Sequence, residues 1–352
     1  MALPNPPRDP RPQLPPRSPN SVRRTSNIDM LHDGDMLTLR GVARDLATDA
    51  EGRGTVLADG SIEVELDGDR ILLSIQTTPE LPGSDSLIGL HVGRGFRAAA
   101  TAILPDEMVA QPVALLLDDL PVAAIVSAYS RTYEISDDDG SESESGSDSG
   151  SADGEGGRPN TLLNTSQVML DICSGWRSDG ELMASLRDGD GMSLVAPTVP
   201  EDEDLDDPLA WHEMLPLGRG VMRRSRIIDL AVGDPTDTSG HDVALWAWFR
   251  DSHCSVDDHK TVLHEYEVAG RIEPNRGPLS ECIATPRVLP FPDCPAAAAS
   301  AGRLVGFPLS EISHHVRKEF RGVSTCTHLN DLFRSVGDVE SLLAPRVDAA
   351  SS

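Results

Sequence analysis

The chain is poor in cysteine and in positive charge and has no long apolar run, and each shortage removes a class of protein. Five cysteines in 352 residues, an odd number with no Cys-x-x-Cys pair, do not make a disulfide framework and suit a reducing cytosol. Thirty Lys and Arg stand against 57 Asp and Glu, a net charge of −27. That is the wrong sign for nucleic acid, which asks for a basic face. The most apolar stretch, Val113 to Val126, is broken by Asp118-Asp119 and falls short of the roughly 18 residues of a membrane span. The N-terminus lacks the apolar core of a secretory signal. Gly93-Arg94-Gly95 lacks the third glycine of a phosphate loop, and no Gly-x-Ser-x-Gly elbow occurs. The expectation is an acidic cytoplasmic protein that binds neither nucleic acid nor membrane.

What is present falls into ordered and unordered stretches. Residues 1–22 form a Pro/Arg-rich arm, with eight of the 27 prolines before residue 20; such a segment reads as disordered. Residues 135–160 read as a disordered acidic Ser/Gly linker, and 161–220 as a connecting segment with an acidic run at 201–207. Glu134–Arg158 carries nine acids against one arginine and Glu201–Asp207 six acids against none, so these spacers hold about half the surplus charge. Between them lie a lobe over 23–134 and a C-terminal domain over 221–345, with a tail at 346–352.

In the first lobe, Ile62, Val64 and Leu66 alternate, Asp67-Gly68-Asp69 turns the chain, and Ile71, Leu73 and Ile75 alternate again, which predicts a hairpin. Leu115 to Tyr129 fits two strands or a helix followed by a strand. In the C-terminal domain, Val243–Phe249 is apolar on both alternations, as a doubly covered strand requires. A polar loop follows from Arg250 to Thr261, then a neighbouring strand, Val262–Ile272. Three helices close the chain: Pro295–Leu304, one with the stripe Leu309, Ile312, Val316 and Phe320, and one with Leu329, Leu332, Phe333 and Val336 ending at Gly337. Antiparallel strands followed by helices make an α+β fold.

The halves echo each other. Arg23-Arg24 with Ile28-Asp29 matches Arg223-Arg224 with Ile228-Asp229, Leu87-Ile88-Gly89 matches Leu304-Val305-Gly306, and Leu117-Asp118-Asp119-Leu120 matches Leu329-Asn330-Asp331-Leu332. The order is kept and the offsets drift from 200 through 217 to 212. The expectation is two related lobes from a degenerate internal duplication. Cys326 and His328 then fall opposite Ala114 and Leu116, so the second copy carries the reactive side chains.

Those side chains converge on the C-terminal domain, and eight of the ten histidines lie beyond residue 210. Cys294 and Cys326 each open a predicted helix, where free N–H groups stabilise a thiolate. His328 follows in Cys326-Thr327-His328, and His241-Asp242 stands at the mouth of the Val243 strand. Cys294, Cys326, His328, His241 and Asp242 make a candidate mixed N/S/O metal site, with Cys282 in reserve and zinc the default ion ahead of iron or iron–sulfur. The plainer reading is core packing, since Cys326, Leu329 and Phe333 share one helical stripe. A Cys326/His328 or Cys294/His241 nucleophile–base pair is the third reading. His253-Cys254 with His259 and His314-His315 read as surface, and Cys173-Ser174-Gly175-Trp176 as a turn with a core indole.

Gly322-Val323-Ser324-Thr325-Cys326-Thr327-His328-Leu329-Asn330-Asp331-Leu332 resembles the signature of an uncharacterised bacterial family, domain of unknown function 2889. Arg223-Arg224 with Asp229, His241-Asp242, and Cys294-Pro295 followed by Leu304-Val305-Gly306 are further marks of that family. The resemblance spans 221–340 and implies no established activity. The architecture is also similar to the NifU-like iron–sulfur scaffold proteins over about 95 residues. That likeness puts Cys294 and Cys326 at two ligand positions and Gly240-His241-Asp242 where those proteins have Cys-Gly-Asp, so the first cysteine is missing. Three functions stay open: a metal or reactive-thiol protein, a non-catalytic interaction protein whose arms recruit protein partners, and a cysteine-dependent acyl-transfer or hydrolase enzyme acting on an unidentified small molecule.

Overall fold

The computed structural model describes residues 5–132, 134–137, 169–188, 193–199, 207–231, 243–273, 277–337 and 342. It is an α+β protein built on one antiparallel sheet. The strands are β1 (Ser21–Asp33), β2 (Met36–Thr48), β3 (Gly54–Leu66), β4 (Leu72–Thr78), β7 (Met222–Ala231), β8 (Val243–Cys254), β9 (Lys260–Ile272) and β10 (Leu279–Val288), in the order β10-β9-β8-β7-β1-β2-β3-β4. A separate parallel pair joins β5 (Glu134–Asp137) to β6 (Ser193–Ala196). The helices are α1 (Phe96–Ile103), α2 (Pro112–Val126), α3 (Tyr129–Thr132), α4 (Glu181–Asp188), α5 (Leu309–Glu319) and α6 (Thr327–Gly337).

The predicted hairpin is present: β3 and β4 pair around a turn in which Asp67 Oδ1 accepts the Asp69 and Ile71 N–H groups. The positive φ falls on Arg70, not on Gly68. Leu115–Val126 belongs to α2, buried on nearly every side. Such a helix has no polar stripe, which is why its sequence reads equally as strand. Pro295–Leu304 lies within a 3-10 helix, Cys294–Leu304, while α5 and α6 carry the expected apolar stripes.

Two expectations need correction. The lobes are not separate, because β1 and β7 pair over ten residues at the middle of the sheet, from Ser21 opposite Ala231 to Met30 opposite Met222. The N-terminal arm is not free either. Arg8 bridges to Val288 at the β10 edge, Arg11 pairs with Glu267, and Arg17 pairs with Asp207 while donating to Thr48. Prolines cannot join a sheet interior, but here ion pairs and carbonyl contacts hold the arm as a strap across one face. Of the other spacers, Glu134–Asp137 is strand and Asp207 is the strap's partner, whereas 138–160, 201–206 and 346–352 lie outside the described residues.

Each face of the sheet has its own cover. Helices α2 and α6 lie over one face, with Leu116, Leu120, Leu329 and Phe333 among the buried contacts. The strap and residues 207–217 cover the other, where Trp211, Ile227 and Trp248 form a small second cluster with Leu14 and Trp246. Outward from the β1–β7 seam both sides run in the same order: four strands, a 3-10 segment (Ser84–Leu87 or Cys294–Leu304), a helix, a short 3-10 turn and a second helix.

Candidate functional site

Strand alternation puts the even residues of β7 beneath the helices, and two of them, Arg224 and Arg226, join Arg24 of β1 in an ionic row. Arg24 binds both oxygens of Asp45, Arg226 both oxygens of Asp119, and Arg224 both oxygens of Asp251. Arg224 also reaches Asp331 on α6 at 3.2 Å. Buried charges survive only when paired and hydrogen-bonded, and these are. Burial alone would raise the Asp251 carboxyl, but the Arg224 guanidinium overrides it and holds the group well below the usual carboxylate range.

Asp251 sits one register step from His264, since Arg224, Asp251 and His264 are cross-strand neighbours on β7, β8 and β9. The polar run after Phe249, expected as a loop, is strand as far as Cys254. His264 Nδ1 lies 3.1 Å from Asp251 Oδ2, and Tyr129 meets the His264 ring edge-on. The first turn of α6 lowers His328 onto this group. Its ring stacks on His264 at 4.0 Å and 23°, and its Nε2 is 4.0 Å from Asp251 Oδ2. On its other side, His328 Nδ1 is 3.7 Å from Cys326 Sγ. Imidazole thus stands between thiol and carboxylate. Burial, then His264 and Arg224, hold His328 well below the imidazole range.

Asp251, His264 and His328 are the one set among the described residues whose ligand atoms lie within 4.8 Å of each other. As arranged they do not chelate. An ion bound by two imidazoles lies in both ring planes, about 2 Å from each nitrogen, and two stacked, nearly parallel rings share no such point. The Asp251 oxygens are already engaged by Arg224.

The sulfur side differs. Cys173 and Cys326 lie close enough to Cys294, on the 3-10 helix after β10, to raise its thiol, and Cys173 also raises that of Cys326. Burial first, then Cys173, pushes Cys326 up to about 12. Backbone N–H groups of His328 and Leu329 point at Cys326 Sγ, and those of Gly175, Trp176 and Thr327 at Cys173 Sγ. Such amide nests favour a thiolate. The turn at Cys173 is locked here by Ser174, whose N–H donates to the Thr325 carbonyl and whose hydroxyl donates to the Asp293 carbonyl. Gly175 packs so tightly that a Cβ there would lie 2.5 Å from Cys294 Sγ.

The structure therefore brings together Cys294, Cys326 and His328 of the expected set and adds Cys173, Asp251 and His264. The sequence reads Cys173 as part of a turn, since Cys294 and Cys326 lie more than 120 residues further along the chain. Cys282 is buried on β10 with its thiol pushed up to about 12 by burial, and no contact among the described residues ties it to the cluster. His241 and Asp242 lie outside the described residues.

Residues 226–341 match the model of a family described as protein of unknown function (DUF2889), so the family resemblance holds over about a third of the chain. No curated protein and no solved structure matches, and the NifU-like similarity has no support from these comparisons. No helix among the described residues is long and apolar enough to cross a membrane.

Proposed function

We propose that the C-terminal half holds a thiolate–imidazole metal centre at Cys326 and His328 Nδ1, completed by Cys294 and Cys173, with zinc the default ion. The observation that carries this is the 3.7 Å spacing of Cys326 Sγ and His328 Nδ1. Bond lengths of about 2.3 Å to sulfur and 2.0–2.1 Å to nitrogen in a tetrahedral site put those two atoms roughly 3.6 Å apart. The remaining thiols would have to draw in, because they are not within chelating distance of the pair as a set. Asp251, pinned by Arg224, stands where an outer carboxylate orients a ligating histidine. A nucleophile reading is weaker: an attacking thiol needs exposure and a depressed pKa, and Cys326 has neither.

The same reading includes an internal duplication. Its support is the repeated element order, the buried pairs Arg24–Asp45 and Arg224–Asp251, and one β-bulge placed alike after each aspartate, at Asp45/Leu46 and Asp251/Ser252. Gly89 and Gly306 share a positive φ, and their N–H groups donate to Leu72 and Leu279 at 2.8 Å. Ala58 pairs with Asp45 as His264 pairs with Asp251, and Leu116 stands opposite His328. The first half thus keeps the ionic frame without the histidines. Five free buried cysteines suit a reducing, cytoplasmic setting.

Elemental analysis of anaerobically purified protein tests the centre, beside a Cys294→Ala/Cys326→Ala variant whose folding is checked by circular dichroism. About one equivalent of zinc or iron, absent from a folded variant, supports it. No metal in the parent protein overturns it.

A further inference from the structure

The face of the sheet opposite the thiols holds a cavity of about 570 Å³ between the strands and the strap, bordered by residues 11–16 and 207–217. That volume is within the usual range of a small-molecule site. Part of its wall is apolar: Trp248 and Trp211 meet edge to face at 6.3 Å, with Met214 and Leu215 at the rim.

Four cationic side chains, Arg11, Arg223, Arg250 and Lys260, line it against one carboxylate, Asp207, which is paired with Arg17. Arg223 commits Nε and Nη2 to Asp29 and to the Leu215 carbonyl, and Arg250 commits the same two nitrogens to Glu265 and the Arg11 carbonyl. In each case Nη1 has no partner among the described residues. Ser225, buried between them in register, lends its hydroxyl to none of the described residues either, and Lys260 at the rim has no carboxylate within ion-pair distance among them. Guanidinium forks fixed by their own carboxylates are rigid, and their spare N–H groups suit a planar anion.

We propose that this cavity binds a small organic acid with a flat apolar body, the body against Trp248 and Trp211 and the carboxylate among Arg223 Nη1, Arg250 Nη1, Ser225 and Lys260. The site is independent of the metal centre, which lies across the sheet. The test is calorimetric titration of the full chain with 2-naphthoate and with 2-naphthalenemethanol, which share a body and differ in charge. The acid should bind one to one, about tenfold or more tighter than the alcohol. Lys260→Glu and Ser225→Leu should each weaken the acid by about tenfold and leave the circular dichroism melt in place; should one variant misfold, the other carries the comparison. No binding of 2-naphthoate at about 1 mM, equal binding of the alcohol, or binding unchanged in the folded variants would overturn the proposal.

Discussion

Asp45 and Asp251 occupy the same place on either side of the central seam. Each receives two bonds from an arginine of the neighbouring strand, Arg24 or Arg224, and each is followed by a bulge in the next strand pair. Only Asp251 has imidazoles beside it.

The ion pair at Asp251 should be costly to break. Asp251→Ala leaves Arg224 buried with Asp331 alone, and the expected loss is about 3–5 kcal/mol in urea unfolding. Arg53→Ala, which removes an exposed pair with Asp49 and leaves the Asp49 bonds to the turn backbone in place, should leave the urea midpoint unchanged. Equal midpoints for both variants would show that the buried row contributes nothing.

Acid should destabilise the protein through His212. Its ring is held neutral between Thr25 Oγ1 and Asn27 Oδ1, and burial, then Arg44 and Arg223, lower its pKa to about 3. The unfolded chain takes up that proton near pH 6.5. The unfolded state therefore binds more protons between about pH 6.5 and 3, and stability falls as pH drops through that window, by up to about 1.4 kcal/mol per unit. His212→Gln should flatten the slope of unfolding free energy between pH 6.5 and 4.5. An unchanged slope would remove His212 as its source.

Native thiols should be silent. All five cysteines are buried, and burial pushes the free thiols of Cys282 and Cys326 up to about 12, so a thiolate there at pH 8 requires a bound metal, which itself masks the sulfur. An aromatic disulfide reagent should label none within minutes and all five in guanidinium. Fast labelling of Cys326 in the folded state would favour the nucleophile instead.

Gly175→Ala should disturb the sulfur cluster. The added methyl would meet Cys294 Sγ at 2.5 Å and the Phe291 ring at 3.3 Å, whereas Gly302 has nothing within 4 Å. Overpacking of this kind costs about 1–3 kcal/mol, and the metal content should fall with it. Gly302→Ala is the matched control. If the two variants melt together, the close approach at Gly175 has no energetic weight.

Much of the sheet was legible because its strands alternate and its turn residues are local. The hairpin at Asp67, the strand at Trp246 and Trp248, and the last two helices all follow from spacing of a few residues. The strap was not, since a proline-rich run carries no periodicity and its hold comes from Glu265, Glu267 and Asp207 far along the chain. Asp251 was hidden by its polarity, since Arg250-Asp251-Ser252-His253 reads as loop unless Arg224 is known to lie alongside, and without it His264, though read in its strand, has no marked partner. Cys326 and His328 stood out because they are neighbours in sequence. Cys173 did not, because only the tertiary fold delivers it.

The seam between β1 and β7 also sets a timetable. Its strands lie about 190 residues apart in the chain, and synthesis at about 5–20 residues per second separates their emergence by roughly 10–40 s. During that interval β1, destined for the middle of the sheet, has an unpaired edge on a growing polypeptide. The seam is thus the longest-range strand pairing within the sheet, and the first half must wait for the second with its most pairing-prone surface open.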